Sequence, residues 1–144
     1  VSAYAQPDRR ARHNLNYWNR GEYVALGASD HGVVNSMRYW NYRDLNRYIS
    51  LLAEGQLPTE GSETVGREES IEEEIYLSLR SVGIDWDGFS KHYNIEANEA
   101  ISDLFESWSK SGLATFEGKK IRLSGKGYCI ADRLALDLIR LVAE

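Results

Sequence analysis

The stretch LATFEGKKIRL, residues 113–123, decides the fold of the C-terminal half of the chain. Residues 113–116 and 120–123 each follow the alternation that is typical of a strand with one buried face. Between them, Glu117-Gly118-Lys119 predicts a turn, because glycine adopts the backbone angles that a tight reversal needs. The stretch therefore predicts a small hairpin, and the helical patterns around it make the chain an α+β protein.

Amphipathic helices are predicted on both sides of this hairpin. Three precede it: one striped by Ile71, Ile75, Leu79 and Val82, a short one from Asp85 to Tyr93, and one striped by Ile101, Leu104, Phe105 and Trp108 that ends at Gly112. One follows it, with Ser124 as its N-cap and an apolar face formed by Ala131, Leu134, Ala135, Leu138 and Val142. Helices, a hairpin and a final helix are the order of a winged-helix-like module over residues 67–144.

The N-terminal half has weaker patterning. Residues 1–42 are aromatic-rich and irregular, with one strand-like stretch at 23–26. A helix is predicted from Asp44 to Gly55, striped by Leu45, Tyr48, Ile49 and Leu52. Residues 56–66 are polar and contain one proline and two glycines, which favours a linker. The predicted organisation is a first segment 1–55, a linker 56–66 and a domain 67–144.

Composition and cysteine content exclude several classes of protein. The 144 residues are 42% hydrophobic and 27% charged, as in soluble globular proteins. No apolar run approaches the roughly 20 residues of a membrane helix, and residues 1–12 do not resemble a signal peptide. Cys129 is the single cysteine, so an intramolecular disulfide is impossible and a cytoplasmic location is expected. We expect its thiol to be buried and inert.

Charge argues against nucleic-acid binding. The first 58 residues carry seven arginines, no lysine and five acidic residues, whereas the remainder carries ten basic and seventeen acidic residues. The helix that would enter a DNA groove is acidic (Glu96, Glu99, Asp103, Glu106) and has only Lys110 as a basic residue. The hairpin carries a modest basic patch of Lys119, Lys120, Arg122 and Lys126. No nucleic-acid partner is expected, and a packing or protein-contact role is favoured.

Two short stretches carry candidate chemistry. In HNLNYW, residues 13–18, the imidazole of His13 is a potential ligand of haem iron, and Tyr17 and Trp18 offer flat surface to a porphyrin. The alternative is a histidine bonded within a polar turn, with both aromatic rings in a core. In GASDHG, residues 27–32, small side chains let a ligand approach the backbone. The alternative there is a plain tight turn with Asp30 and His31 on the surface.

These stretches resemble a known family. HNLNYW resembles the HNxxYW motif of HemW-type radical S-adenosylmethionine proteins, which belong to the oxygen-independent coproporphyrinogen III oxidase-like group. Residues 2–7 resemble the S-x-Y-A-x-P approach of that family, 26–32 its LGAGAHS segment, 38–41 its R-x-x-N stretch, and 112–127 its G-L … I-x-L-T-P-x-G end. The chain departs from the pattern at Ser29, Asp30, Gly32 and Gly125.

The resemblance implies a part of a larger protein. The CxxxCxxC motif that holds the family's [4Fe–4S] cluster and S-adenosylmethionine has no match here. The chain therefore resembles the end of a radical-SAM partial barrel followed by a HemN-type C-terminal domain. We expect no catalytic residue, no cofactor in this part alone and no radical chemistry without the remainder. The leading function is that of a haem chaperone. The alternatives are a true oxidase that decarboxylates coproporphyrinogen III, and an independent winged-helix interaction or DNA-binding module.

The resemblance also implies a site and partners. His13 is the candidate haem-iron ligand, and the residues implied in cofactor binding are His13, Asn14, Tyr17, Trp18, Gly27, Ala28 and Ser29. The last three would lie near the S-adenosylmethionine end of the barrel. Haem or porphyrinogen is the implied partner of the parent. Residues 1–42 would lack the barrel that covers them, so disorder or self-association is expected there.

Overall fold

The structure, a computed structural model, describes residues 5–6, 9–96 and 98–142. It has the predicted mixture of helices and small antiparallel sheets, and it divides into two compact units. We call Arg12–Gly66 the N-terminal unit; the other unit comprises Val1–Ala11 and Arg67–Glu144, and its part from Arg67 onward is called the C-terminal unit. No helix among the described residues is long and apolar enough to cross a membrane.

The N-terminal unit is a three-stranded antiparallel sheet with two helices. Its elements are α1 (Arg12–Trp18), β1 (His31–Val34), β2 (Met37–Asn41), α2 (Leu45–Ala53) and β3 (Thr59–Thr64), with β2 in the centre of the sheet. Asn35 and Ser36 join β1 to β2 with φ values of 52° and 60°. Two consecutive positive φ values define the type I′ hairpin, whose twist matches that of the strands.

Helix α2 begins and ends as predicted, but its apolar stripe faces outward. The Asp44 carboxylate accepts a hydrogen bond from the Arg47 N–H at 2.6 Å, and Gly55 follows the helix with φ 73°. The predicted face, Leu45, Ile49 and Leu52, is exposed, with Tyr48 half-buried, whereas Leu51 is the buried residue of the helix. Periodicity identifies an apolar face but does not say what covers it.

Three predictions for the N-terminal unit are wrong. Residues 12–18 form a helix rather than irregular chain, and from the predicted strand 23–26 only Tyr23 pairs, with Val33. The predicted linker 56–66 contains β3, which pairs with β2. Gly61 is a linker residue in that prediction, but it lies opposite Trp40 in the sheet. A Cβ on Gly61 would lie 2.5 Å from Cζ2 of Trp40, so the glycine makes room for the indole ring. Ser2, Ala3, Tyr4 and Pro7 of the quoted 2–7 stretch lie outside the described residues.

The C-terminal unit packs helices around a second small antiparallel sheet. Its elements are α3 (Arg67–Leu79), β4 (Ile84–Asp85), α4 (Trp86–His92), α5 (Glu99–Lys110), β5 (Ala114–Glu117), β6 (Lys120–Leu123), α6 (Gly125–Tyr128) and α7 (Ala131–Val142), with sheet order β4-β6-β5. Ile75, Leu79, Ile84 and Leu138 lie at the centre of its core. Every residue predicted on the apolar face of the last helix is buried.

Local signals placed most of these elements. Asp85 accepts from the Gly88 N–H, and Ser124 Oγ accepts from the Gly127 N–H, so both predicted N-caps are confirmed. The two-residue strand β4 was not predicted, and the predicted last helix is divided into α6 and α7. The thiol of Cys129, predicted to be buried, is exposed because Cys129 lies at the junction of these two helices.

Candidate functional site

The HNLNYW motif forms helix α1, and its end is fixed by a Schellman motif. The Gly21 N–H donates to the Asn16 carbonyl at 2.8 Å, and the Arg20 N–H donates to the Tyr17 carbonyl at 3.0 Å. Arg20 takes the left-handed position with φ 56°, where glycine is usual. The motif is thus a defined helical turn rather than a polar loop.

The helix orients its side chains on two faces. His13 and Tyr17, four residues apart, both contact Tyr23, with ring-centroid distances of 6.5 and 5.8 Å. His13 is exposed, and neither of its ring nitrogens has a hydrogen-bond partner among the described residues. Asn14 and Trp18 are half-buried. The imidazole of His13 therefore has ring nitrogens available and aromatic neighbours beside it.

Residues 27–30 form a tight turn with an unusual third residue. The Asp30 N–H points to the Gly27 carbonyl at 3.4 Å, and Ser29 has φ 65°. A positive φ at the third residue is what a type II turn requires, and glycine or asparagine normally supplies it. Ser29 stands where the family pattern has glycine, so this departure adds backbone strain to the turn.

Asp30 compensates for that strain. Its carboxylate accepts hydrogen bonds from the Leu26 N–H at 2.8 Å and from the His31 N–H at 3.0 Å. One side chain therefore ties together the residues on both sides of the turn. Asp30 and His31 are both exposed, as the alternative of a tight turn expects.

Side chains from β2 and α2 hold the same turn from outside. The Tyr48 hydroxyl accepts from the Gly27 N–H at 3.1 Å, and the Tyr39 hydroxyl accepts from the Ala25 N–H at 3.0 Å. Asn41 donates from Nδ2 to the Gly27 carbonyl at 2.9 Å. Sequence reasoning missed these three residues as parts of the site, although Tyr39 and Asn41 belong to the quoted stretch at 38–41.

The turn keeps one backbone donor unused. Of the N–H groups of residues 25–31, the Ala28 N–H is the one with no acceptor among the described residues. A Cβ placed on Gly27 would meet nothing within 4 Å, so the space beside it is open. The turn can therefore offer a hydrogen-bond donor to a ligand that approaches its backbone.

An open apolar groove lies next to this turn. It has a volume of about 500 Å³, and Leu26, Met37, Tyr39, Tyr48, Leu52 and Leu57 are among its lining residues. Leu26 and Leu57 are 81% and 84% exposed. The groove therefore presents exposed apolar side chains to solvent.

The predicted site residues fall into two places within the N-terminal unit. No described contact joins His13, Asn14, Tyr17 or Trp18 to Gly27, Ala28 or Ser29. Among the described residues, no group of three or more histidine, cysteine, aspartate or glutamate side chains is arranged to hold a metal ion. Within the part of the chain that the structure describes, His13 is thus a single potential ligand to iron.

Two of the four basic residues of the hairpin patch in the C-terminal unit, Lys119 and Arg122, form ion pairs among the described residues. Lys119 forms an ion pair with Asp87, which lowers the pKa of that carboxyl and raises the pKa of the ammonium group. Arg122 lies 3.8 Å from Glu117, and Lys110 of α5 pairs with Glu106 at 2.7 Å. Lys126 Nζ instead donates to the Ser111 carbonyl at 3.2 Å, so acidic partners offset only part of the positive charge of the patch.

Comparison with known proteins gives a consistent set of relatives. No protein-family model matches the chain. The haem chaperone HemW of Mycobacterium tuberculosis is 29% identical over 140 residues, 96% of this chain and 34% of the relative. That of Bacillus subtilis is 27% identical over 135 residues, 93% of this chain and 36% of the relative. That of Escherichia coli is 52% identical over 34 residues, 24% of this chain and 9% of the relative.

One solved structure shares the fold. Coproporphyrinogen III oxidase (HemN) from Escherichia coli, described as a radical SAM enzyme, has a TM-score of 0.57 and 16% identity, covering 81% of this chain and 28% of its own. The present chain spans about a third of the length of the first two curated relatives. The chain is therefore similar to a C-terminal part of HemW/HemN-type radical S-adenosylmethionine proteins, which is the resemblance that its sequence predicted.

Proposed function

We propose that the protein to which this chain belongs is a HemW-type haem chaperone, and that His13 is its haem-iron ligand. The observation that carries this proposal is the exposed imidazole of His13, whose ring nitrogens have no partner among the described residues. A neutral imidazole nitrogen is a common axial ligand of haem iron. The neighbouring rings of Tyr17 and Tyr23 supply apolar surface beside it.

The donor set fits a haem that is held rather than transformed. A bound haem supplies its own iron, so the protein needs to provide an axial ligand and flat contacts. His13 would supply the axial ligand, and Tyr17 and Tyr23, whose rings lie beside it, would supply the flat contacts. Asn14, half-buried on the same helix, would orient the motif.

The turn at residues 27–30 is proposed to face S-adenosylmethionine in the full-length protein. The unused Ala28 N–H and the open space beside Gly27 fit a ligand that meets the backbone directly. The family resemblance implies that the [4Fe–4S] cluster and S-adenosylmethionine bind to the full-length protein. Gly27, Ala28 and Ser29 therefore act here as one wall of a site that other segments complete.

Haem titration of the full-length protein tests the role of His13. We expect His13→Ala to weaken haem binding by about tenfold or more and to change the Soret band, because iron loses an axial ligand. His92→Ala is the matched control, since His92 is an exposed histidine of the C-terminal unit. Equal affinity and an identical Soret band in wild type and His13→Ala would remove His13 from this role.

The alternative is a true coproporphyrinogen III oxidase. Its support is the shared fold with HemN, which does not carry over an activity at 16% identity. Turnover of coproporphyrinogen III by the full-length protein, loaded with cluster and S-adenosylmethionine, separates the two. Haem binding without turnover supports the chaperone.

The C-terminal unit is proposed to be a winged-helix-like domain with a packing or protein-contact role. The order helix α3, strand β4, helices α4 and α5, then the β5–β6 hairpin supports this architecture. We place the domain boundary at Gly66, since β3 belongs to the sheet of the N-terminal unit. The acidic residues of α5 and the ion pairs of Lys110 and Lys119 support a role without nucleic acid.

A cytoplasmic location and self-association complete the proposal. The exposed apolar side chains of the N-terminal unit, among them Val24, Leu26 and Met37, support association of isolated copies of this chain. Sedimentation of the 144-residue chain over a concentration series tests this, and a monomer at every concentration contradicts it.

A further inference from the structure

Asn41 is a buried polar residue that the proposed chemistry does not use. It is 3% exposed and lies at the end of β2, where most neighbouring positions are half-buried. A buried amide is retained only where it is hydrogen-bonded, since an unpaired one is costly. The Nδ2 atom of this amide lies 2.9 Å from the Gly27 carbonyl and 3.5 Å from the Ala25 carbonyl, so these acceptors indicate what the residue does.

We propose that Asn41 is a positioning residue that fixes the 27–30 turn, and that Tyr48 secures the same turn from α2. The inference rests on the ligand role proposed for that turn and names the residues that hold it in shape. Asn41 itself touches no ligand in this proposal; it acts through the backbone of Gly27.

A bulge places Asn41 for this task. Along the β2–β3 pair, Trp40 lies opposite Gly61, but Asn41 lies opposite Thr59, so one residue of β3 is skipped. A bulge bends a strand and re-aims the side chain beside it. At this position the amide of Asn41 reaches back across the sheet to Gly27, fourteen residues earlier in the chain.

Asn41 binds both ends of the turn at once. Its side-chain Nδ2 donates to the Gly27 carbonyl at 2.9 Å, and its backbone N–H donates to the Asp30 carbonyl at 2.9 Å. The backbone carbonyl of the next residue, Tyr42, accepts a hydrogen bond from the Ser29 N–H at 3.0 Å. The turn's own Asp30-to-Gly27 bond is long, at 3.4 Å, so the external bonds define its geometry.

The strain at Ser29 makes such support necessary. A serine at φ 65° does not hold a left-handed angle without restraint, because other angles are lower in energy. When the Asn41 amide is lost, the Gly27 carbonyl keeps only the long bond. The Ala28 N–H then samples several directions, and a ligand must order it on binding.

The test uses the full-length protein with its cluster in place. Asn41→Asp keeps the size of the side chain but replaces the donor with a carboxylate that repels the Gly27 carbonyl. We expect S-adenosylmethionine to bind about tenfold or more weakly, because a misplaced donor costs roughly one buried hydrogen bond. Haem affinity, which depends on His13, should change by less than about twofold. Asn46→Asp, at an exposed position of α2, is the matched control.

Hydrogen exchange measures the turn independently of any ligand. Without S-adenosylmethionine, Asn41→Asp should exchange faster in peptides that cover residues 25–31, while α2 and the C-terminal unit stay as in wild type. A general structural role would instead accelerate exchange across the whole N-terminal unit. Unchanged exchange at 25–31, or acceleration throughout the unit, overturns the proposal.

A milder variant covers the case in which Asn41→Asp does not fold. Tyr48→Phe removes only the hydroxyl that accepts from the Gly27 N–H. We expect faster exchange at 25–31 and a smaller loss of S-adenosylmethionine affinity. If wild type itself does not bind S-adenosylmethionine, the proposed function fails, and the exchange data still decide whether Asn41 and Tyr48 position the turn.

Discussion

Replacing Ser29 with glycine should stabilise the N-terminal unit. Ser29 has φ 65°, and its hydroxyl makes no hydrogen bond with the described residues, so the substitution removes strain without removing a contact. A non-glycine residue in this region costs about 1–2 kcal/mol, and glycine loses about 0.4–1 kcal/mol more entropy on folding. The net expectation is a gain of roughly 0.5–1 kcal/mol in the free energy of unfolding.

The assay is urea unfolding of the 144-residue chain, followed by amide exchange or NMR signals of the N-terminal unit, because two units need not unfold together. Ser62→Gly is the matched control: Ser62 lies in β3 with no positive φ, so glycine should destabilise there by about 0.5–1 kcal/mol. The two substitutions thus predict opposite signs. If Ser29→Gly destabilises like Ser62→Gly, the interpretation of the turn as strained is wrong.

Three further predictions concern the C-terminal unit. Gly127→Ala should lower the free energy of unfolding by more than about 2 kcal/mol, because the new Cβ would lie 2.1 Å from the Leu113 carbonyl oxygen. Thermal unfolding measures this, and an unchanged stability would refute it. Leu138→Ala should lower the free energy of unfolding by about 2–5 kcal/mol, because Leu138 is 0% exposed. Leu136, which is 41% exposed, is the control, and its replacement with alanine should lower that free energy much less. Equal losses of stability in urea unfolding would contradict this. Lys119→Gln should raise the pKa of Asp87 in an NMR titration, since the ion pair holds that pKa low. The pair's stabilisation is present at neutral pH, is lost as pH falls through the lowered pKa of Asp87, and is lost again as pH rises through the raised pKa of Lys119.

The C-terminal unit was predictable because its helix caps and apolar stripes are local sequence patterns, and because residues of the same unit form its core. Asp85 and Ser124 each cap a helix by a bond to a residue three positions later, a pattern visible in the sequence. The stripes of α3 and α7 are covered by other parts of the same unit, so Ile75 and Leu138 are buried as their spacing predicts. The strand β4 was missed because two residues carry no period.

The N-terminal unit was harder because its contacts are distant along the chain. In the sequence Gly61 indicates a linker, and only its position opposite Trp40 in the sheet shows that it is a strand residue. The stripe of α2 predicted the helix correctly, yet Leu45 and Ile49 are exposed, because the period of a stripe does not tell what packs against it. Helix α1 lacks an acidic first turn and is rich in residues of low helix propensity, so no local pattern announced it.

The candidate site shows the same division. Resemblance to a family pointed to His13 and the 27–32 segment, because short motifs can be matched residue by residue in the sequence. The hydrogen bonds that join Asn41 and Tyr48 to Gly27 span fourteen and twenty-one residues of chain, so no periodic pattern in the sequence indicates them. Such partners become visible only when β2 and α2 are placed beside the turn.

The two departures from the family pattern at residues 29 and 30 are best understood as one change. A glycine at 29 would adopt φ 65° without strain, and a small residue at 30 would then suffice. Here Ser29 introduces strain, and the carboxylate of Asp30 binds two N–H groups that flank the turn. The same bonds occupy the amides of Leu26 and His31, so they leave the Ala28 N–H as the free donor among residues 25–31. The carboxylate of Asp30 therefore holds a strained turn, and the Ala28 N–H is the single backbone donor of residues 25–31 that a ligand can meet.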